Sequence, residues 1–389
     1  VGLLGGYRKK VYKLTIKTEK TIGHLPLIEY PWAGEIDRLL ESLTRIEPAF
    51  RAFLFDAVMS MAYIDATAGL EKNLEYCDNA IDKYNAHIGF INLCSQCHEN
   101  NSWQYQKAVK PESGALGKLS SEIILKFIQH FSENFEQVWV IGGSDYADAL
   151  IIHKNGLKIF AEVKSAPLIT YSLLIQTNQF DAAKHHQKIN LTASQLKVCD
   201  SALYFHNNCL IPLGKTGAEN WPFKPFVDFM VNSKNAQAIE QQFQTWLVAR
   251  EAYITKNRQS RIYYLTNACG SPPVEAKKHH GWPDKQVISD SKTSAGMDRT
   301  DDIKKGVYQT LKIGLTHKGE KNFKTAIISN LPAYRHNDDY LSPLIPMLWG
   351  METDLKSVDG QEVIFRENLR YIFDYIITLE NPLLRELAV

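Results

Sequence analysis

Two acids and one amine stand close together in a single stretch of this sequence: Asp148, and then Glu162-Val163-Lys164. Between them run Ala149-Leu150-Ile151-Ile152 and Ile159-Phe160-Ala161, apolar and largely β-branched or aromatic, on either side of Lys154-Asn155-Gly156. Two such runs around a Gly-containing turn signal predict a β-hairpin. The register of the turn decides which side chains meet. With a two-residue loop, Asn155-Gly156, position 148 faces 163, the acids fall on opposite faces, and Asp145 becomes the rival of Asp148. With a three-residue loop and Gly156 in the left-handed conformation, 153 faces 157 and 148 faces 162. Alternation then puts Lys164 on the face of Glu162. A β-bulge would achieve the same convergence.

Such a cluster has a chemical use. Two carboxylates a few ångströms apart repel each other unless a cation lies between them. Mg²⁺ suits the pair, because it takes one or two carboxylates together with water and phosphate oxygens; Mn²⁺ can substitute. Asp148 and Glu162 are therefore the expected metal ligands. A lysine ammonium beside them can orient an attacking water and offset charge that develops on phosphorus. Both runs are apolar on both faces, so interior strands are expected, and charged groups at the end of interior strands call for a partner or a function.

Asp148, thirteen intervening residues and Glu162-Val163-Lys164, preceded by an amphipathic helix and a strand, resemble the PD-(D/E)XK nuclease superfamily in its type II restriction endonuclease form. The resemblance covers roughly residues 113–206. Ala147 stands where that family often has proline. The resemblance implies a mixed central sheet flanked by helices and cleavage of double-stranded DNA at a specific sequence. It also implies a homodimer, with one active site per strand. Glu122, on the preceding helix, matches a position where the family often has a supporting acid. A repair, recombination or mobile-element nuclease of the same fold, and a non-catalytic DNA-binding module, are the alternatives.

A second, shorter pattern follows at Pro283-Asp284 and Asp290-Ser291-Lys292. It has a literal Pro-Asp but no apolar hairpin partner, so a role in gripping DNA is expected there. Thr300 can cap a helix whose first turn carries Asp301 and Asp302. Lys292, Arg299, Lys304 and Lys305 are the expected phosphate contacts. Cys94-Ser-Gln-Cys97-His98 has the spacing of half a zinc site. The nearest further ligands, Cys77 and His87, are irregularly spaced, so structural or unpaired cysteines are expected there and zinc is not. Nothing supports the haem-attachment reading of the same string.

The elements that must position these residues follow from periodicity. Helical spacing from Ala33 to about Ile91, with Pro48 opening a second helix, predicts a mainly helical N-terminal domain over 1–112. A catalytic and DNA-binding α/β domain is expected over 113–335. It starts with an amphipathic helix capped at Ser120 or Ser121. Strands are expected at 137–141, 147–153, 157–163, 202–205, 262–265 and 325–329, with helices near 176–198, 236–254 and 300–313. The spacing over Val363 to Leu379 predicts an amphipathic helix in a C-terminal helical segment, 336–389. A strand over Lys10–Lys17 and a turn at Gly142-Gly143 complete the reading.

The 389 residues are 44% hydrophobic and 22% charged, with a net charge of +1, which is the balance of a globular protein with no global polyelectrolyte character. Any basic cleft must therefore be local. Six cysteines in a chain this long do not make a disulfide framework. No secretory pattern opens the sequence and the most apolar stretch is interrupted by Arg51 and Asp56, so a cytoplasmic, prokaryotic-type intracellular protein without a membrane span is expected.

Overall fold

The structure is a computed structural model. It describes residues 22–23, 30–43, 45, 47–67, 69–141, 147–179, 186–267, 270–279, 281–289, 295–318, 320 and 322–380. Asp145, Gly142-Gly143, Asp290, Lys292 and the Lys10–Lys17 stretch lie outside these residues.

The chain is α/β, with mixed and antiparallel sheets between helices. Its first sheet has the order β1-β4-β5-β6-β10-β15. Strand β1 (Ile22–Gly23) pairs with β4 (Phe135–Ile141), which runs antiparallel to β5 (Ala149–His153) and on to β6 (Lys158–Val163). Strands β10 (Phe323–Ser329) and β15 (Tyr375–Thr378) then add in parallel. Alternation divides the side chains of this sheet between two cores. Ala149, Ile151, Ile159, Ala161, Ile328 and Ile377 join the main core, which also holds Ile123, Ile124 and Phe127 of helix α4 (Ser113–Phe131). Leu150, Phe160 and Phe323 face Ile313 of helix α8 (Thr300–Thr316), and Ile327 and Ile376 meet Ile303 of the same helix. Strands covered on both faces read as continuous apolar runs, which is why β5, β6 and β10 carry almost no exposed residue.

A second sheet has the order β2-β3-β7-β8-β9, antiparallel throughout. It combines β2 (Glu75–Ile81) and β3 (Tyr84–Ile88) with β7 (Ser172–Ile175), β8 (Asp200–Tyr204) and β9 (Leu210–Lys215). Helices α1 (Ala33–Glu41) and α2 (Pro48–Ala66) precede it, with Pro48 at the first turn of α2 as expected. Helix α2 is apolar on nearly every side and lies in the main core. Its buried Asp56 accepts hydrogen bonds from the Leu168 and Ile169 N–H groups (3.0 Å each) and from Trp246 Nε1 (2.8 Å). This carboxylate thereby binds α2 to the chain that leaves β6 and to helix α7 (Ala236–Ile254). Further helices are α3 (Ser95–Glu99), between β3 and α4, α5 (Ala193–Lys197) and α6 (Phe223–Val231), and short helical pieces lie at Leu70–Asn73 and Val274–His279.

Several expectations are corrected. The stretch 74–91 is not helical. Asp82, at φ +55°, makes a tight turn with Lys83 and pairs Ile81 with Tyr84, so the N-terminal part supplies two strands to the second sheet. Nor is Val363–Leu379 a helix. Within 348–378 lie β11 (Leu348–Trp349), β12 (Leu355–Val358), β13 (Gln361–Ile364), β14 (Arg370–Tyr371) and β15, so the described part of 336–389 is built of short strands and brief helical turns rather than a helical segment. Tyr375-Ile376-Ile377-Thr378 is buried on both faces, and a short run of that kind shows no period that separates strand from helix. Over 176–198 only α5 is helical among the described residues, and Arg261–Leu265 is a 3-10 turn where a strand was expected. Helix α4 starts at Ser113, so neither Ser120 nor Ser121 caps it. Ser121 bonds back to Gly117 O, and Ser120 reaches Ser165. Arg299, not Thr300, is the residue before the first turn of α8. No helix among the described residues is long and apolar enough to cross a membrane.

Candidate active site

The β5–β6 turn takes the three-residue form. Gly156 has φ +81°, the His153 N–H donates to Leu157 O at 2.9 Å, and the Gly156 N–H donates to His153 O at 2.8 Å. The Leu157 N–H bonds to Asn155 Oδ1 (3.0 Å), so Asn155 braces the turn from within. From there the ladder runs Ile152↔Lys158, Ile151↔Ile159, Leu150↔Phe160 and Ala149↔Ala161, which carries 148 to the level of 162. The strand becomes irregular at its end. The Asp148 N–H donates to Ala161 O (2.9 Å), the residue that Ala149 already faces. Two residues sharing one partner is the bulge pattern that re-aims a side chain.

The three side chains converge. The Asp148 Oδ2 accepts a hydrogen bond from the Val163 N–H at 2.9 Å, and the Asp148 charge acts on the neighbouring Glu162 carboxyl. Lys164 Nζ forms an ion pair with Glu162 Oε1 and donates a longer bond, 3.3 Å, to Val163 O. Glu162 is only 6% exposed. Burial, and next the negative charge of Asp148, push its carboxyl up to about 7, while Lys164 pulls in the opposite direction. The two acids thus hold more negative charge than their surroundings accommodate, which is the condition that a divalent cation relieves.

The end of β6 is tied to its neighbours by hydrogen bonds. The Lys164 N–H donates to Ile328 O (2.8 Å), continuing the ladder with β10. One residue pair further on, Asn330 clasps Ala166, accepting from its N–H (3.1 Å) and donating to its carbonyl (2.7 Å). Ser120 bonds Ser165 through its hydroxyl (2.7 Å) and carbonyl (3.0 Å), which fixes α4 to the same strand end. Glu122 lies two residues further along α4, fully buried, with Lys118 Nζ 3.8 Å away.

The segment before α8 also reaches this edge, because the Gly296 N–H donates to Ala166 O at 2.9 Å. Of the expected phosphate contacts, Arg299 lies near its own helix acids, 3.7 Å from Asp301 and 3.9 Å from Asp302, and Lys304 lies over the Tyr340 ring at 5.6 Å. Lys305 is exposed on α8. Sequence reasoning passed over Asp298 and Arg335. Asp298 accepts from the Arg335 N–H (2.8 Å), and Arg335 lies over the Tyr253 ring at 4.0 Å, which ties this segment to α7. The 37-residue separation of Asp298 and Arg335 left no local signal. Nor did the sequence link His186 to Cys94 and Cys97, with which it shares a Cys/His group on the second sheet.

No protein-family model, characterised protein or solved structure gives a significant match to this chain.

Proposed function

We propose that the chain is a magnesium-dependent endonuclease that hydrolyses double-stranded DNA at a specific sequence, in the manner of type II restriction enzymes. The observation that carries this reading is the convergence of Asp148, Glu162 and Lys164 at the end of two interior strands. The order around them supports it: α4, the antiparallel β4-β5-β6, α8, then β10 parallel to β6, with the acids on the second and third strands of the trio.

The donor set fits the ion. Two carboxylates offer hard oxygen ligands, and Glu162 is held near its protonated form by burial and by Asp148, so a cation that displaces this proton removes a strained charge arrangement. When bound, Mg²⁺ supplies Lewis acidity toward a phosphate oxygen and lowers the pKa of a water. Asp148 is held in place by the Val163 N–H, so its orientation does not depend on the ligand. Lys164 carries its ammonium within reach of Glu162 and can donate to an attacking water, aligning it with the scissile P–O bond. Lys305 and Arg299, at the start of α8, are the cations proposed to meet the DNA backbone. A symmetric dimer would present one such site to each strand of a palindromic target.

The test is digestion of a sequenced plasmid with Mg²⁺. Discrete fragments are expected from the wild type and none from Lys164→Ala or Asp148→Asn. Binding without cutting by all three would replace the enzyme by a DNA-binding module.

A further inference from the structure

On the second sheet, away from the acids, Cys77 of β2, Cys94 and Cys97 around α3, and His186 gather at one point, with all four ligand atoms within 4.8 Å of one another. Cys77 Sγ lies 3.5 Å from Cys97 Sγ and 3.9 Å from Cys94 Sγ, and Cys97 Sγ lies 3.5 Å from His186 Nε2. Disulfides do not explain these spacings, since a bonded pair stands at about 2.05 Å. A mononuclear tetrahedral site does. With Zn–S near 2.3 Å and Zn–N near 2.05 Å, its edges are about 3.8 Å between sulfurs and about 3.6 Å from sulfur to nitrogen. The three thiols are fully buried.

We infer that Cys77, Cys94, Cys97 and His186 form a structural Cys₃His zinc site. The outer groups are those that such a site requires. Asn79 Nδ2 donates to Cys97 Sγ and the Cys97 N–H to Cys94 Sγ, 3.4 Å each, which distributes thiolate charge into N–H donors. Glu75 Oε2 lies 3.6 Å from His186 Nδ1, on the side of the ring away from the sulfurs, where a carboxylate sets the tautomer that leaves Nε2 for the metal. The protein supplies all four ligands and leaves no open position, so the site is structural rather than catalytic. Binding Zn²⁺ releases the remaining thiol protons to solvent and changes no oxidation state.

The site has a mechanical role that the backbone shows. Strand β2 is the edge of its sheet, and the 186–188 segment bonds along it, His186 N–H to Tyr76 O (2.8 Å) and Tyr76 N–H to Gln187 O (2.9 Å). Zinc would clamp that segment and the turn at Cys94–Cys97 onto the open edge, closing it to pairing with another chain.

The test is metal analysis of the full chain, purified with reductant and without chelator. About one zinc per chain is expected. Cys94→Ser should lose it, and Cys199→Ser, a buried thiol outside the group, should retain it. If Cys94→Ser does not fold, growth of the wild type in cobalt medium decides, because tetrahedral thiolate-bound Co²⁺ gives intense d–d and charge-transfer bands. Little zinc together with no cobalt bands in the wild type would overturn the site. Iron in place of zinc, or equal zinc in the wild type and Cys94→Ser, would do the same.

Discussion

The charge arrangement at Glu162 should make the affinity of the proposed site for Mg²⁺ pH-dependent in a calculable way. The carboxyl is raised from its ordinary 4.5 to about 7, chiefly by burial and then by Asp148. Without metal, the folded chain therefore holds a proton that the unfolded chain releases. That protonation favours the fold fully below about 4.5, and the advantage is lost as pH rises from there through about 7, a total loss of about 3 kcal/mol. A cation at Asp148 and Glu162 competes with the same proton. At pH 6 roughly a tenth of the sites are deprotonated and at pH 8 roughly nine-tenths, so Mg²⁺ affinity should rise about tenfold between them, about 1.4 kcal/mol. Calorimetric titration in two buffers of different ionisation enthalpy measures both the affinity and the proton released, expected at close to one per metal at pH 6. Equal affinity at the two pH values, with no proton release, would refute the placement of the cation on Glu162.

Three further outcomes are expected. Lys164→Met removes the charge that holds the Glu162 carboxyl down, so the midpoint of the pH-dependent Mg²⁺ affinity should move upward while plasmid cleavage is lost; an unchanged midpoint contradicts the ion pair. Asp56→Ala leaves the Leu168 and Ile169 N–H groups and Trp246 Nε1 buried without their acceptor, and should lower stability in urea by about 3 kcal/mol or more; a loss under about 1 kcal/mol would mean that water replaces the carboxylate. Gly156→Ala meets no steric neighbour but must adopt φ +81°, so it should cost about 1 kcal/mol in thermal or urea unfolding, and no loss at all would show that the turn relaxes to another register.

The hairpin was legible because its signals were local and agreed with each other. The turn signal, the apolar runs and the acids at their ends lie within 17 residues, 148–164, whereas the choice between a two- and a three-residue turn, which sets their register, came only with the structure. Helices α4, α7 and α8 were legible for the same reason. What was not legible depends on distant partners. The hairpin at 75–88 joins strands from 172–215, so its alternation was read as part of a longer helical run. Strand β15 is apolar on both faces because β10, α8 and the main core enclose it, and a covered strand carries no polar face to reveal its period. His186 stands 89 residues from Cys97, so half a zinc motif was visible and its completion was not.

The convergence of the two acids on one cation is tested most directly by anomalous diffraction from crystals soaked in Mn²⁺, which substitutes for Mg²⁺ at carboxylate sites. A peak bonded to Asp148 and Glu162 together, at about 2.1 Å from an oxygen of each, is expected. A map with no peak between these carboxylates, in crystals where Mn²⁺ has entered, would contradict it.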